Sequence, residues 1–203
     1  MTLLPLFPLP NVVLFPGVLL PLHIFEPRYR AMVADVLEGD RRLGMVLLQP
    51  GWEPDYEGRP PIFPVGCGGV VVHSARLDDG RYNIVLQGLD RFRVTSENHD
   101  HPYRRAEVQP MPDTALNDEQ LAALRDERAS LATLLGRTHA EPLPSMSDAQ
   151  FIHTLAHSLD LEPIEKQALL ECESLLVRAR SLIELVEMKK LQTSLPAGPQ
   201  QTH

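Results

Sequence analysis

At Gln109-Pro-Met-Pro-Asp113 the periodicity of the chain changes, and that change bounds the folds open to it. Before this point apolar residues come in short runs or alternate with polar ones, the two-residue period of strands. After it they recur at spacings of three and four, the period of helices with one buried face. Strands followed by helices exclude a doubly wound sheet, where the two alternate, and predict an α+β architecture. The expected organisation is a β-rich part at 1–112, a helical bundle at 113–192 and a disordered tail at 193–203. A length of 203 residues allows one ordinary domain or two small ones.

In the β-rich part, Pro5, Pro8 and Pro10 punctuate a run of leucine and phenylalanine. Proline has no N–H to give a sheet, so short kinked strands or edge strands are expected here. Val18–Ile24 predicts a strand. Pro27 then opens a helix that ends before Gly39, with Tyr29, Met32, Val33 and Val36 on one face. Leu43–Leu48 predicts a buried strand, and the long stretch from Pro50 to Pro64 a loop holding the single tryptophan, Trp52. Val65–Leu77 and Arg81–Leu86 form a hairpin over Asp78-Asp79-Gly80, with bulges expected around Gly66, Gly68 and Gly69. Arg91–Thr95 and Tyr103–Val108 complete the set. Many short strands with one inserted helix predict a small, strongly bent barrel. In the helical part, Asn117 with Gln120 and Ser147 with Gln150 have capping-box spacing. Pro163 opens a third helix, and Ser174 is a candidate cap for a fourth.

Charge and cysteine usage narrow the function classes. The net charge of -8 repels phosphate backbones and argues against nucleic acid as a partner. Cys67 and Cys172 stand alone, without a C-x-x-C pair, which fits a reducing compartment and no zinc or disulfide framework. No apolar run reaches the roughly 20 residues of a membrane span, and no secretory pattern opens the chain. A cytoplasmic protein without membrane attachment is expected.

Few residues suggest chemistry. His153 and His157 share one helix face, but two ligands are too few for zinc, so ordinary helix-face histidines are expected. Cys67 lacks a nearby base and reads as a packed structural cysteine, as does Cys172. Gly66-Cys-Gly-Gly69 precedes a strand, where a dinucleotide cradle would need a helix, so sheet bending explains it better. No G-x-x-x-x-G-K-[ST] phosphate loop occurs. No catalytic residue, metal or cofactor is expected.

The run Leu4-Pro-Leu-Phe-Pro-Leu-Pro-Asn-Val-Val-Leu-Phe-Pro-Gly17, continued by Val18-Leu-Leu-Pro-Leu-His-Ile-Phe-Glu-Pro-Arg-Tyr-Arg30, resembles the opening of the Lon N-terminal domain. The hairpin centred on Val70-Val-Val72, then Gly88-Leu-Asp-Arg-Phe92 and Glu165-Lys-Gln-Ala-Leu-Leu170, continues the likeness over nearly the whole chain. The resemblance implies a pseudo-barrel like that of the PUA superfamily, followed by a helical bundle. It also implies a role in recognising substrate proteins. Lon itself goes on to an ATPase and a Ser-Lys protease domain, which this chain is not expected to supply. The expected partner is therefore an unfolded or extended polypeptide, with Lon or another protease in trans as a second partner.

Candidate binding residues come from two sources. His23, Arg28 and Tyr29 belong to the polar part of the opening run. The plainer reading of that stretch has Glu26 capping the helix, with Arg28 or Arg30 paired to Glu26 or Asp35. Phe15, Pro16, Trp52 and Tyr56 lie in predicted loops, where aromatic side chains can anchor a partner. The alternative is an RNA- or nucleotide-binding PUA-like module, which would need Arg91, Arg93, Arg104 and Arg105 clustered on the surface.

Overall fold

The computed structural model describes residues 2–98, 100–136 and 146–194. It contains a six-stranded sheet and α-helices, the α+β class expected. The strands are β1 (Thr2–Leu9), β2 (Leu19–Ile24), β3 (Arg42–Leu47), β4 (Val65–Arg76), β5 (Tyr82–Asn98) and β6 (Arg104–Pro110). The helices are α1 (Pro27–Glu38), α2 (Asp118–Leu134), α3 (Asp148–Ser158), α4 (Pro163–Glu171) and α5 (Leu175–Ser194). α5 thus runs two residues into the expected tail, and the rest of that tail, 195–203, lies outside the described residues.

The chain divides into two compact units, one of Met1–Asp113 with His153–Cys172, the other of Thr114–Ile152 with Glu173–His203. In the first unit the strand order is β2-β5-β4-β3-β1-β6, and β6 also pairs with β5. That second pairing closes β5, β4, β3, β1 and β6 into a ring, though not a regular barrel. β2 lies outside the ring as an added edge on β5, where Pro21 removes no hydrogen bond that a second neighbour would need.

β1 departs from the expectation of short or edge strands. It is continuous and has a neighbour on each side, β3 in parallel and β6 antiparallel. The two pairings divide the strand between them. Residues Thr2–Leu6 face β6, and Leu6–Leu9 face β3. Pro5 and Pro8 fall in the parts with one neighbour each, so neither has to serve two ladders at once.

β5 is a second departure. Arg81–Leu86 and Arg91–Thr95 read as separate strands, yet one strand of 17 residues takes in both apart from Arg81. Gly88 sits at the middle and makes this possible. Its amide donates to the Val18 carbonyl at 2.9 Å, and its own carbonyl accepts from Gly17 at 2.9 Å. A Cβ there would lie 2.1 Å from the Phe15 carbonyl oxygen. The glycine admits a crossing loop without ending the strand. The β4–β5 turn is the one expected, with Gly80 at φ 80°. β4 carries register shifts at Cys67/Gly69 and Val71/His73, so it bends as its glycines suggested.

Leu4, Leu6, Val46, Phe92 and Ala106 form a buried cluster inside the ring. α1 adds Tyr29, Met32, Val33 and Val36, the face predicted from spacing. The α4 end of this unit is fastened by buried Arg91. It donates to the carbonyls of Leu170 at 2.7 Å and Cys172 at 2.6 Å, and to Asp113 at 2.5 Å. A guanidinium on the last carbonyls of a helix satisfies acceptors that have no partner within the helix. Gln167 of α4 donates to the Val65 carbonyl at 3.0 Å.

In the second unit α2 packs along α5, with Leu124, Leu131, Ala179 and Leu182 buried. The Asn117–Gln120 capping box is formed in both directions. Ser147 and Gln150 likewise exchange hydrogen bonds at the start of α3. Among the described residues no helix is long and apolar enough to cross a membrane.

Candidate functional site

The opening of α1 builds the first wall of the site. Glu26 holds an extended backbone at φ −66° and ψ 134°, and Pro27 sets the first helical residue. Arg28 and Tyr29 therefore fall in the first turn. The Arg28 guanidinium lies 4.7 Å from the Tyr29 ring centre and 5.0 Å from that of Tyr56. A cation over two aromatic faces is held by both ring quadrupoles. Arg28 Nε donates to Glu26 Oε2 at 3.1 Å, and its terminal nitrogens donate to the carbonyls of Glu57 at 3.3 Å and Tyr56 at 3.0 Å. Tyr56 Oη donates to the other Glu26 oxygen at 2.5 Å. Trp52, which precedes the short 3-10 turn Glu53–Asp55, meets Tyr56 edge-on with ring centres 5.3 Å apart. Burial raises the Tyr56 pKa and the Glu26 carboxylate adds to the effect, so the hydroxyl stays a donor.

Beside this cluster is a cleft of about 150 Å³. Tyr29, Tyr56, Arg59, Tyr103 and Arg104 line it, with Pro8 and Leu48 among its apolar walls. Arg104 is buried; its Nη1 donates to Glu97 at 3.2 Å and its Nη2 to the Pro60 carbonyl. Arg59 donates to the carbonyls of Asn98 and His101, both at 3.2 Å. Tyr103 donates to Asp35 at 2.7 Å; burial and this bond push its pKa up to about 12. Burial pushes the Tyr29 hydroxyl well above the ordinary tyrosine range. The loop from residue 49 to 64 is thus tied to α1, β5, β6 and the segment after β5. It is not a free excursion.

Four of the seven candidates, Arg28, Tyr29, Trp52 and Tyr56, meet here. The other three do not. Phe15 was expected to offer its ring from a loop, but it is fully buried and stacks on His153 with ring centres 6.0 Å apart. The neighbouring Pro16 gives its carbonyl to His153 Nδ1 at 2.9 Å. His23 is exposed on β2, hydrogen-bonded to Asn83 at 2.7 Å and to Arg81 at 3.2 Å. Glu26 pairs with Arg28 as the plainer reading had it, but its side chain makes no cap hydrogen bond.

Arg59, Tyr103 and Arg104 were not singled out as part of this site. Their hydrogen bonds span 39 to 68 residues of sequence, apart from Arg104 with Glu97, so no local spacing announces them. The arginine cluster needed for nucleic acid is not assembled at the surface. Arg91 and Arg104 are 3% and 5% exposed and are engaged internally. His153 meets the Pro16 carbonyl and His157 the Val13 backbone. Among the described residues no group of three or more His, Cys, Asp or Glu could hold an ion. Cys67 is buried within β4.

Two solved structures that share this fold are Lon N-terminal domains. The N-terminal domain of a Mycobacterium avium complex Lon protease matches with a TM-score of 0.70 at 19% identity, covering 92% of this chain and 98% of the other. A Lon N-terminal domain protein from Xanthomonas campestris matches at 0.60 and 25% identity, covering 97% and 100%. The family model for the ATP-dependent protease La (LON) substrate-binding domain matches residues 3–188, and the chain belongs to that family. Relatives include the Lon protease of Cytophaga hutchinsonii, 28% identical over 92% of this chain, and Lon protease 2 of Myxococcus xanthus, 29% identical over the same share. The chain spans 24% of the length of each. The match thus covers the substrate-binding domain alone and none of the rest of those proteins.

Proposed function

We propose that this chain is a non-catalytic recognition module for unfolded or extended polypeptide, acting in the cytoplasm and handing its cargo to a Lon-type protease. The observation that carries the reading is the Trp52–Tyr56–Arg28 cluster on a tied-down loop, within a domain of the Lon substrate-binding family. Anchored aromatic side chains bury apolar area against a partner at little ordering cost. An unfolded chain offers such area. Two of the four arginines that an RNA reading would need are internal, and the net charge is -8.

The test is titration with a permanently unfolded protein and with a structured RNA, each at low and moderate ionic strength. Polypeptide binding that changes little with salt is expected, because apolar burial is not screened. RNA binding that collapses with salt, without polypeptide binding, would reverse the assignment. No ATP or casein turnover is expected of the purified chain.

A further inference from the structure

We infer that the cleft lined by Tyr29, Arg59 and Arg104 is a subsite for the chain-terminal carboxylate of a bound polypeptide. The inference rests on the polypeptide reading and names the feature of the partner that this surface selects.

Tyr29 is 3% exposed, yet among the described residues its hydroxyl has no hydrogen-bond partner. Among the described residues the buried side-chain atoms sealed off without a partner are Arg105 Nε and His157 Nδ1, so the Tyr29 hydroxyl is not closed in. It opens onto this cleft, which Tyr29 lines. A buried hydroxyl held as a donor and left without an acceptor is costly unless something supplies one.

Guanidinium groups around it can receive an anionic acceptor. Arg28, Arg59 and Arg104 all line the cleft. Glu26 pairs with Arg28 and Glu97 with Arg104, whereas among the described residues the terminal nitrogens of Arg59 meet backbone carbonyls and make no ion pair. Arg59 and Arg28 both act on Arg104 in the sense of mutual repulsion. The carboxylate among the lining side chains is that of exposed Glu57. A carboxylate placed at the Tyr29 hydroxyl would accept its hydrogen bond and stand against the Arg59 guanidinium.

The walls select the source of that carboxylate. Pro8, Leu48, Pro60 and Pro102 are apolar and frame the charged floor. A cleft of about 150 Å³ has room for a carboxylate with a small side chain, as at a chain end. Terminal-carboxylate capture is an established mode of peptide recognition.

The experiment titrates the full chain with an unstructured peptide ending in alanine, as free acid and as C-terminal amide, followed by Trp52 fluorescence and calorimetry. The acid is expected to bind at least about tenfold tighter than the amide, the range of a hydrogen bond to a charged group. Tyr29→Phe keeps the ring against Phe7 and Arg28 and removes the hydroxyl. It is expected to lose most of that selectivity while the melting temperature holds. Equal binding of acid and amide overturns the subsite and leaves the polypeptide reading standing. Inorganic phosphate bound at the cleft, with acid and amide alike, also overturns it. Failure of both peptides and of a permanently unfolded protein to bind overturns both proposals.

Discussion

Two loops of the first unit carry aromatic side chains, and the fold treats them in opposite ways. The loop between β1 and β2 brings Phe15 across Gly88, and Phe15 ends fully buried against His153. The loop between β3 and β4 is longer and more polar, yet Trp52 and Tyr56 stay half-exposed on it. Both loops are fixed by hydrogen bonds. The first is fixed through its backbone, by Gly88 and His153. The second is fixed largely by long side chains, Arg28 and Arg104 reaching its carbonyls, Arg59 reaching out from it and Glu26 meeting Tyr56. The close backbone crossing at Gly88 carries the first loop's ring into the core. Arginine side chains reaching the second from beneath leave its rings outward.

The comparison breaks most readily at Phe15. Phe15→Ala empties a filled core position and is expected to cost about 3–5 kcal/mol in urea unfolding. A loss below about 1 kcal/mol would mean that the ring is not part of the core. Tyr56→Phe removes the hydroxyl that meets Glu26 and should cost about 1–3 kcal/mol, since that acceptor is charged. If stability is unchanged, the β3–β4 loop is held by the arginines alone.

Acid should separate the two loops further. His157 is half-buried against the Val13 backbone; burial lowers its pKa from 6.5, Lys166 adds to the lowering, and the hydrogen bond to Val13 opposes it. Its Nδ1 is buried without a partner. In the folded state the ring is therefore neutral where the unfolded ring is already protonated. The unfolded state binds more protons in that window, so stability is lost as pH falls below about 6.5 toward the lowered folded value. A melting series from pH 7.5 to 5 should fall less steeply for His157→Gln than for the parent chain. Parallel curves would rule this residue out as the source.

Trp52→Ala should have the smallest effect on stability, about 1 kcal/mol or less, because the side chain is only half-buried. Polypeptide binding should nonetheless weaken markedly. Unchanged binding with intact folding would move the recognition surface off this loop.

How much of this was legible beforehand follows from the range of each interaction. α1 and its buried face, the β4–β5 turn at Gly80 and the two capping boxes depend on residues at most a few positions apart, and spacing displayed them. The opening run carried the family as well, because its prolines and apolar residues match over a long stretch. Aromatic loop residues could be named as candidates, but composition did not separate Phe15 from Trp52. Both are apolar residues flanked by turn formers.

What the sequence alone determined is the α+β class, the local elements and the membership of the Lon substrate-binding family, all of which rest on short-range periodicity or on a contiguous motif. The tertiary structure alone decided that β1 is shared between two neighbours, that β5 passes through Gly88 unbroken, and that the strands close into a ring. It also decided which aromatic ring is core and which faces outward, and that Arg59 and Arg104 converge on Tyr29 from positions 30 and more residues away. Those outcomes depend on which backbone groups find partners across the ring. A hydrogen bond between distant segments leaves no periodic trace in either of them.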